Sequence, residues 1–167
     1  MYANHFLGHV LYFARQYEEA ISVLHQTLKL DPHYTKPHYF IAMSHYWLGE
    51  TETALKEAQL EPLSWMRWTA SAVILHRLGR TAEAEANFAA LAEIGIEENN
   101  FIQQADIYAQ LGETERAFES LNVAYSYADP GFSQLLISPS FDPIRDDKRF
   151  IEMLAKAGFT AEQVKEG

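Results

Sequence analysis

Apolar residues return at three- and four-residue spacing through Tyr2 to Ala14 and again through Tyr17 to Leu30, and Pro32 closes the second run. This is the pattern of two helices, each with one buried face, joined by a very short turn. Small residues then mark a longer period. Gly8, Ala42, Ala72 and Ala105 are spaced 34, 30 and 33 residues apart, and Ala20, Ala54, Ala84 and Ala117 repeat the same spacings. A third series holds Gly49, Gly79 and Gly112, with Arg15 standing where its first glycine belongs. A period of thirty-odd residues with two helices in each predicts helical hairpins stacked side by side, each burying its apolar face on its neighbours.

The turns inside the later hairpins read Leu48-Gly49-Glu50-Thr51, Leu78-Gly79-Arg80-Thr81 and Leu111-Gly112-Glu113-Thr114. Glycine ends the first helix in a left-handed conformation, and the threonine two residues on is the expected cap of the second. Glu52, Glu83 and Glu115 fall in the first turn of the second helix, where negative charge suits the helix dipole. Gly8 or Ala42 facing Ala20 or Ala54 lets the two backbones approach closely, and larger residues fill the layers between. Tyr17, Leu24, Leu28, Ile41, Leu55, Leu75, Phe88, Leu91, Tyr108, Phe118 and Leu121 are the predicted core.

These residues carry a resemblance. Asn4-His5-Phe6-Leu7-Gly8, Tyr17-Glu18-Glu19-Ala20 and Asp31-Pro32 are similar to the tetratricopeptide repeat, departing from it at Arg15 and Thr27 where small residues are usual. The resemblance implies an all-α, right-handed superhelical solenoid of about four repeats, at residues 2–34, 35–62, 63–97 and 98–128, followed by a linker and capping helix at 129–167. The second repeat is short by about one helical turn, and its second helix is expected to end early at Pro62. Trp68 and Phe101 stand where the family often places an aromatic residue.

Beyond Asp129 the pattern changes. Ser138-Pro139-Ser140-Phe141-Asp142-Pro143-Ile144-Arg145-Asp146-Asp147-Lys148-Arg149-Phe150 precedes an amphipathic run to Ala157 and a Gly158 stop. The segment resembles the end of tetratricopeptide arrays in bacterial adenylate cyclase-like enzymes, kinases and transcriptional regulators. Its expected role is to cover the last repeat. The first repeat starts with no polar lead-in, which favours the carboxyl-terminal part of a larger signalling protein.

Charge and composition narrow the partners. With 13 Lys and Arg against 23 Asp and Glu the formal charge is −10, which repels a phosphate backbone and argues against nucleic acid. No apolar stretch approaches a membrane span, no signal peptide is visible, and there are no cysteines, so a cytoplasmic protein without a membrane partner is expected.

In the tetratricopeptide family the first helices line the concave surface. Carried over, that geometry implies a groove of Tyr2, His5, His9, Tyr12, Phe13, Tyr39, Met43, Tyr46 and Trp47, continued by Met66, Thr69, Val73, His76 and Arg77, then Asn99, Ile102, Asp106 and Gln110. So aromatic a groove suits a half-polar peptide or an amphipathic helix, and the same rings could instead join two copies in a homodimer. The carboxylate clamp by which some family members grip acidic chaperone tails is not present: His5, His9, Phe40, Met66 and Ala70 occupy its places.

The chain holds no phosphate-binding loop, no Gly-x-Gly-x-x-Gly, no His-Glu-x-x-His and no cysteine nucleophile, so no enzyme and no cofactor are expected. His5 and His9, one turn apart, are the nearest approach to a metal pair, with His45 a conceivable third ligand; the expectation is that no metal binds. His33 and His38 fall at a repeat junction, and His25 and His76 at the surface. Asp142, Asp146 and Asp147 read as capping and pairing groups for Arg145 and Arg149.

Overall fold

The computed structural model describes residues 2–94 and 100–166, apart from the side chains of Tyr2, Ala161, Lys165 and Glu166. Helices carry the whole architecture, and no strand occurs among the described residues. In order they are α1 (Tyr2–Phe13), α2 (Tyr17–Leu30), α3 (Pro37–Trp47), α4 (Thr51–Leu60), α5 (Ser64–Arg77), α6 (Thr81–Glu93), α7 (Phe101–Gln110), α8 (Thr114–Ser126), α9 (Lys148–Lys156) and α10 (Ala161–Glu166). Two 3₁₀ turns, Pro130–Gln134 and Pro139–Ile144, lie between α8 and α9. Among the described residues no helix is long and apolar enough to cross a membrane. The chain forms two compact units, Met1–Phe88 and Ala89–Gly167, so the division falls inside α6 and within the third predicted repeat.

In the amino-terminal unit α1 packs on α2 and α3 on α4, each an adjacent pair. The first helices also touch in sequence, α1 with α3 and α3 with α5. Small residues make this approach close. Ala20, Ala42 and Ala54 are fully buried, and a Cβ added at Gly8 would stand 2.5 Å from the Leu24 side chain. Of the predicted core, Tyr17, Leu28 and Phe88 are only half-buried, and the others are buried.

Every hairpin turn closes in the same way. At Gly49, φ is 81°, the Gly49 N–H donates to the Tyr46 carbonyl at 3.1 Å, and the Glu50 N–H donates to the His45 carbonyl at 2.9 Å. This doubly bonded closure recurs at Gly79, Gly112 and Arg15. It is tight enough that the residue after the glycine already accepts the first bond of the next helix, as Glu50 does from Ala54 at 2.9 Å. The threonines are therefore not caps, as the sequence predicts, but the first residues inside α4, α6 and α8. Arg15 performs the same turn at φ 61° with a side chain attached. Left-handed backbone costs a non-glycine residue about 1–2 kcal/mol, against about 0.5–1 kcal/mol of extra chain entropy for glycine. Arg15→Gly is expected to stabilise the unit by about 0.5–1 kcal/mol, read as a higher urea midpoint. A lower midpoint would show that the Arg15 side chain contributes more than its backbone loses.

The short second repeat ends as predicted, α4 stopping at Leu60, but on a residue that the periodicity does not single out. Glu61 is fully buried. Its carboxylate accepts the Lys36 N–H at 3.1 Å and the Tyr39 N–H at 3.3 Å, at the start of α3, and the Leu63 N–H at 3.1 Å, at the start of α5. One side chain thus satisfies the amino termini of two helices that have no side-chain cap of their own. Its backbone carbonyl accepts from the Arg67 guanidinium at 2.6 Å.

In the carboxyl-terminal unit α7 and α8 pack together and the second 3₁₀ turn lies on α7. Asp129 accepts the Ile102 N–H at 3.3 Å and the Gly131 N–H at 2.8 Å, so it anchors both the start of α7 and the first 3₁₀ turn. The Arg145 guanidinium gathers the Leu136 and Ser138 carbonyls and the Asp142 carboxylate. Asp147 caps α9 through the Arg149 N–H at 2.9 Å, and the Arg149 side chain reaches Glu115 at 2.8 Å while lying 4.2 Å over the Phe118 ring of α8. Phe141 and Phe150, both buried, face each other with centroids 5.8 Å apart. Asp142 and Asp147 are therefore used in pairing and capping with Arg145 and Arg149, as expected.

Candidate functional site

The side-by-side packing of α1, α3 and α5 brings the predicted groove residues of the amino-terminal unit onto neighbouring helices, but it also packs several of them away. Tyr12, Met43 and Tyr46 are at most 3% exposed. They are corrected from groove lining to core: with small residues at Gly8 and Ala42 the helices close over these larger side chains. Met66, Thr69 and Val73 are buried for the same reason. In the carboxyl-terminal unit Ile102 and Asp106 are buried and Gln110 donates to the Ser140 carbonyl at 2.6 Å. The Tyr2 side chain and Asn99 lie outside the described residues.

Phe40, a residue outside the predicted groove, organises the cluster. It is 5% exposed, and the rings of His9, Tyr12, Phe13 and Tyr39 surround it with centroids 3.8, 5.2, 6.2 and 5.0 Å away. His5 extends the cluster to Tyr34, at 5.0 Å, and to His9, at 4.9 Å. Neither His5 Nδ1 nor His9 Nε2 has a hydrogen-bond partner. Burial pushes the His9 pKa down to about 4, with His5 and Lys36 adding repulsion, and burial and Lys36 lower His5 as well. Both rings therefore act near neutral pH as uncharged aromatic surface. His45 is turned to Glu50, with its Nδ1 2.6 Å from the carboxylate, and His38 to Glu57 at 2.9 Å. Among the described residues no group of three or more His, Cys, Asp or Glu side chains is placed to hold a metal ion.

What remains accessible is narrower than the predicted groove. His5, His9, Phe13, Tyr39 and Trp47 are half-buried, and His76 and Arg77 are exposed. Accessible and buried residues together form a connected path across three helices. Trp47 Nε1 donates to the Tyr12 hydroxyl at 3.2 Å, tying α3 to α1, and Tyr12 lies 5.2 Å from Phe13. On the other side Trp47 packs edge-on against Tyr46 at 4.9 Å. The Arg77 guanidinium of α5 lies 3.4 Å over the Tyr46 ring and donates to the Tyr46 carbonyl at 2.7 Å. The guanidinium thereby covers Tyr46 and is held in a fixed position over its ring. Such a surface offers ring edges, an indole face and a fixed cation to a ligand with apolar and polar groups in alternation.

No family model matches the chain. No curated protein matches it either. Function is therefore read from the residues and their arrangement.

Proposed function

We propose that the chain is a non-catalytic interaction module of the tetratricopeptide type, which binds a peptide or an amphipathic helix across the path Phe13, Trp47 and Arg77, with Tyr39 and His76 at its margins. The observation that carries this reading is the connected row of rings and guanidinium spanning α1, α3 and α5, held in place by the Trp47 to Tyr12 and Arg77 to Tyr46 hydrogen bonds. A rigid aromatic anchor beside an oriented arginine is the composition that dominates protein interfaces. The repeat series, the identical hairpin turns and the adjacent pairing of helices support the family reading. The absence of cysteine supports a reducing, cytoplasmic setting, and the resemblance of the ending to signalling proteins supports a role in presenting a partner to a catalytic or regulatory domain.

Panning a random peptide library against the chain is expected to yield ligands whose affinity falls at least about tenfold on Trp47→Ala or Arg77→Ala, with the helical circular-dichroism signal retained. Ligands indifferent to both changes would place the binding surface elsewhere.

A further inference from the structure

Trp47 and Arg77 meet on one ring. The Trp47 indole lies 4.9 Å from the centroid of Tyr46, and Arg77 Cζ lies 3.4 Å from the same centroid, all within the amino-terminal unit. The guanidinium is only partly engaged there. Its Nη1 donates to the Tyr46 carbonyl at 2.7 Å, while among the described residues neither Nε nor Nη2 has an acceptor and no carboxylate pairs with it. This sets Arg77 apart in a chain with 23 Asp and Glu against 13 Lys and Arg. Arg80, Arg116, Arg145 and Arg149 each pair with a carboxylate, and Arg67 directs its two Nη groups to the Glu61 and Pro62 carbonyls and the Ser64 hydroxyl. The edge left open on Arg77, Nε with Nη2, is the one that Arg80 presents to both oxygens of Glu83, at 2.7 and 2.6 Å, and Arg149 to both oxygens of Asp147, at 3.1 and 2.8 Å. A carboxylate matches this fork.

We infer that the open edge of Arg77 takes a carboxylate from the ligand, so that the bound peptide carries one Asp or Glu side chain close to a large apolar or aromatic one. The inference rests on the peptide path proposed above and names what that path selects. An arginine already stacked on a ring and tethered through one nitrogen loses little freedom when it pairs, which separates it from the loose ion pairs of an ordinary surface. The apolar neighbour is set by the indole. In an extended peptide, side chains two residues apart leave the same face roughly 7 Å from each other, a span that serves Trp47 and Arg77 on their shared ring. Net charge limits the acid to one. The formal charge of −10 repels an acidic run, whereas a single carboxylate touching a fixed guanidinium sees distant charges through a screening length of about 8 Å at physiological salt. A phosphate, with up to about twice the charge, is less suited on the same ground. The place also differs from the family's carboxylate clamp, whose positions hold His5, His9, Phe40, Met66 and Ala70.

Panned against the full chain, a random peptide library is expected to enrich Asp or Glu one or two residues from Trp, Tyr, Phe or Leu. In the best ligand, resynthesised with blocked ends, exchanging that acid for its amide is expected to weaken binding to the wild-type chain at least about tenfold by fluorescence polarisation, and to change nothing on Arg77→Ala. Arg77→Glu is expected to enrich Lys or Arg at the same place in the ligand. Because the acid is exchanged on the peptide, the wild-type chain alone decides the outcome should an Arg77 variant lose its helical signal. Ligands that depend on Trp47 but lack the acid, or that tolerate the amide, overturn the inference and leave the peptide path standing. A library that yields no ligand overturns both. Ligands that bind only with a free terminal carboxylate, or at least about tenfold more tightly with phosphoserine in place of the acid, overturn the choice of an Asp or Glu side chain.

Discussion

Replacing Glu61 by alanine is expected to cost the amino-terminal unit about 3–5 kcal/mol, the largest effect of any single substitution argued for this chain. The carboxylate accepts backbone N–H groups of Lys36, Tyr39 and Leu63, and it is fully buried. Its removal leaves three donors without their acceptor in a place that admits little water, and each such donor costs about 1–3 kcal/mol. The loss strikes α3 and α5 together, because the same group closes the amino termini of both. Glu61→Gln should cost roughly half as much: its carbonyl oxygen still accepts, but its amide nitrogen is turned toward donors and the negative charge at two helix starts is gone. Urea unfolding followed by tryptophan fluorescence reads this unit alone, since Trp47, Trp65 and Trp68 all lie within it. A loss below about 1 kcal/mol for Glu61→Ala would mean that water replaces the carboxylate at low cost.

Glu61 also shows where sequence reading reaches its limit. The spacing of 30 residues and Pro62 reveal that the second repeat is a turn short, and α4 does end there. Which group then meets the exposed helix starts depends on how three helices converge, and periodicity carries no information on that. The hairpin turns are more legible because their chemistry is local: a left-handed residue after an apolar one has a signature, and even Arg15, by its place in the series, is identified as a strained substitute. Thr51 is misjudged by one position for a local reason as well, since the doubly bonded turn consumes a residue that a looser turn would leave for a cap. The groove is less legible than the helices. A face inferred from repeat positions cannot tell that Tyr12 and Tyr46 are covered while Trp47 and Arg77 are not, because that depends on the Trp47 to Tyr12 hydrogen bond and on Arg77 lying over its ring. Phe40 is buried while its counterpart in the first repeat, Phe6, is exposed, so the repeat position alone does not decide burial.

The second large expectation is that acid and base weaken different units. His9 has an ordinary pKa of 6.5 and is held at about 4 in the fold, so between those values the unfolded chain takes up a proton that the folded chain refuses. Stability of the amino-terminal unit is then complete above pH 6.5 and declines as the pH falls toward 4, by about 2 kcal/mol once the partial solvent access of the ring is allowed for. His5, lowered in the same direction, adds to the decline. Asp106 behaves oppositely. It is buried in α7 with Oδ1 unpartnered, and burial pushes its pKa from 3.8 to about 7 against the opposing hydrogen bond with the Ser140 side chain. The folded chain keeps this proton between pH 3.8 and 7 while the unfolded chain gives it up, so the carboxyl-terminal unit loses stability as the pH rises through that window, by up to about 4 kcal/mol. His9→Phe, which keeps a ring against Phe40, should flatten the acid decline seen by tryptophan fluorescence between about pH 6.5 and about pH 4.5. Asp106→Asn should remove the loss that circular dichroism reports between about pH 5 and about pH 8, and it should stabilise most at the alkaline end. The signs are the decisive feature: a tryptophan-detected midpoint that rises on acidification would show that the half-buried His5 and His9 are charged in the fold, and an Asp106→Asn chain stabilised equally at about pH 5 and about pH 8 would show that the carboxyl is ionised throughout.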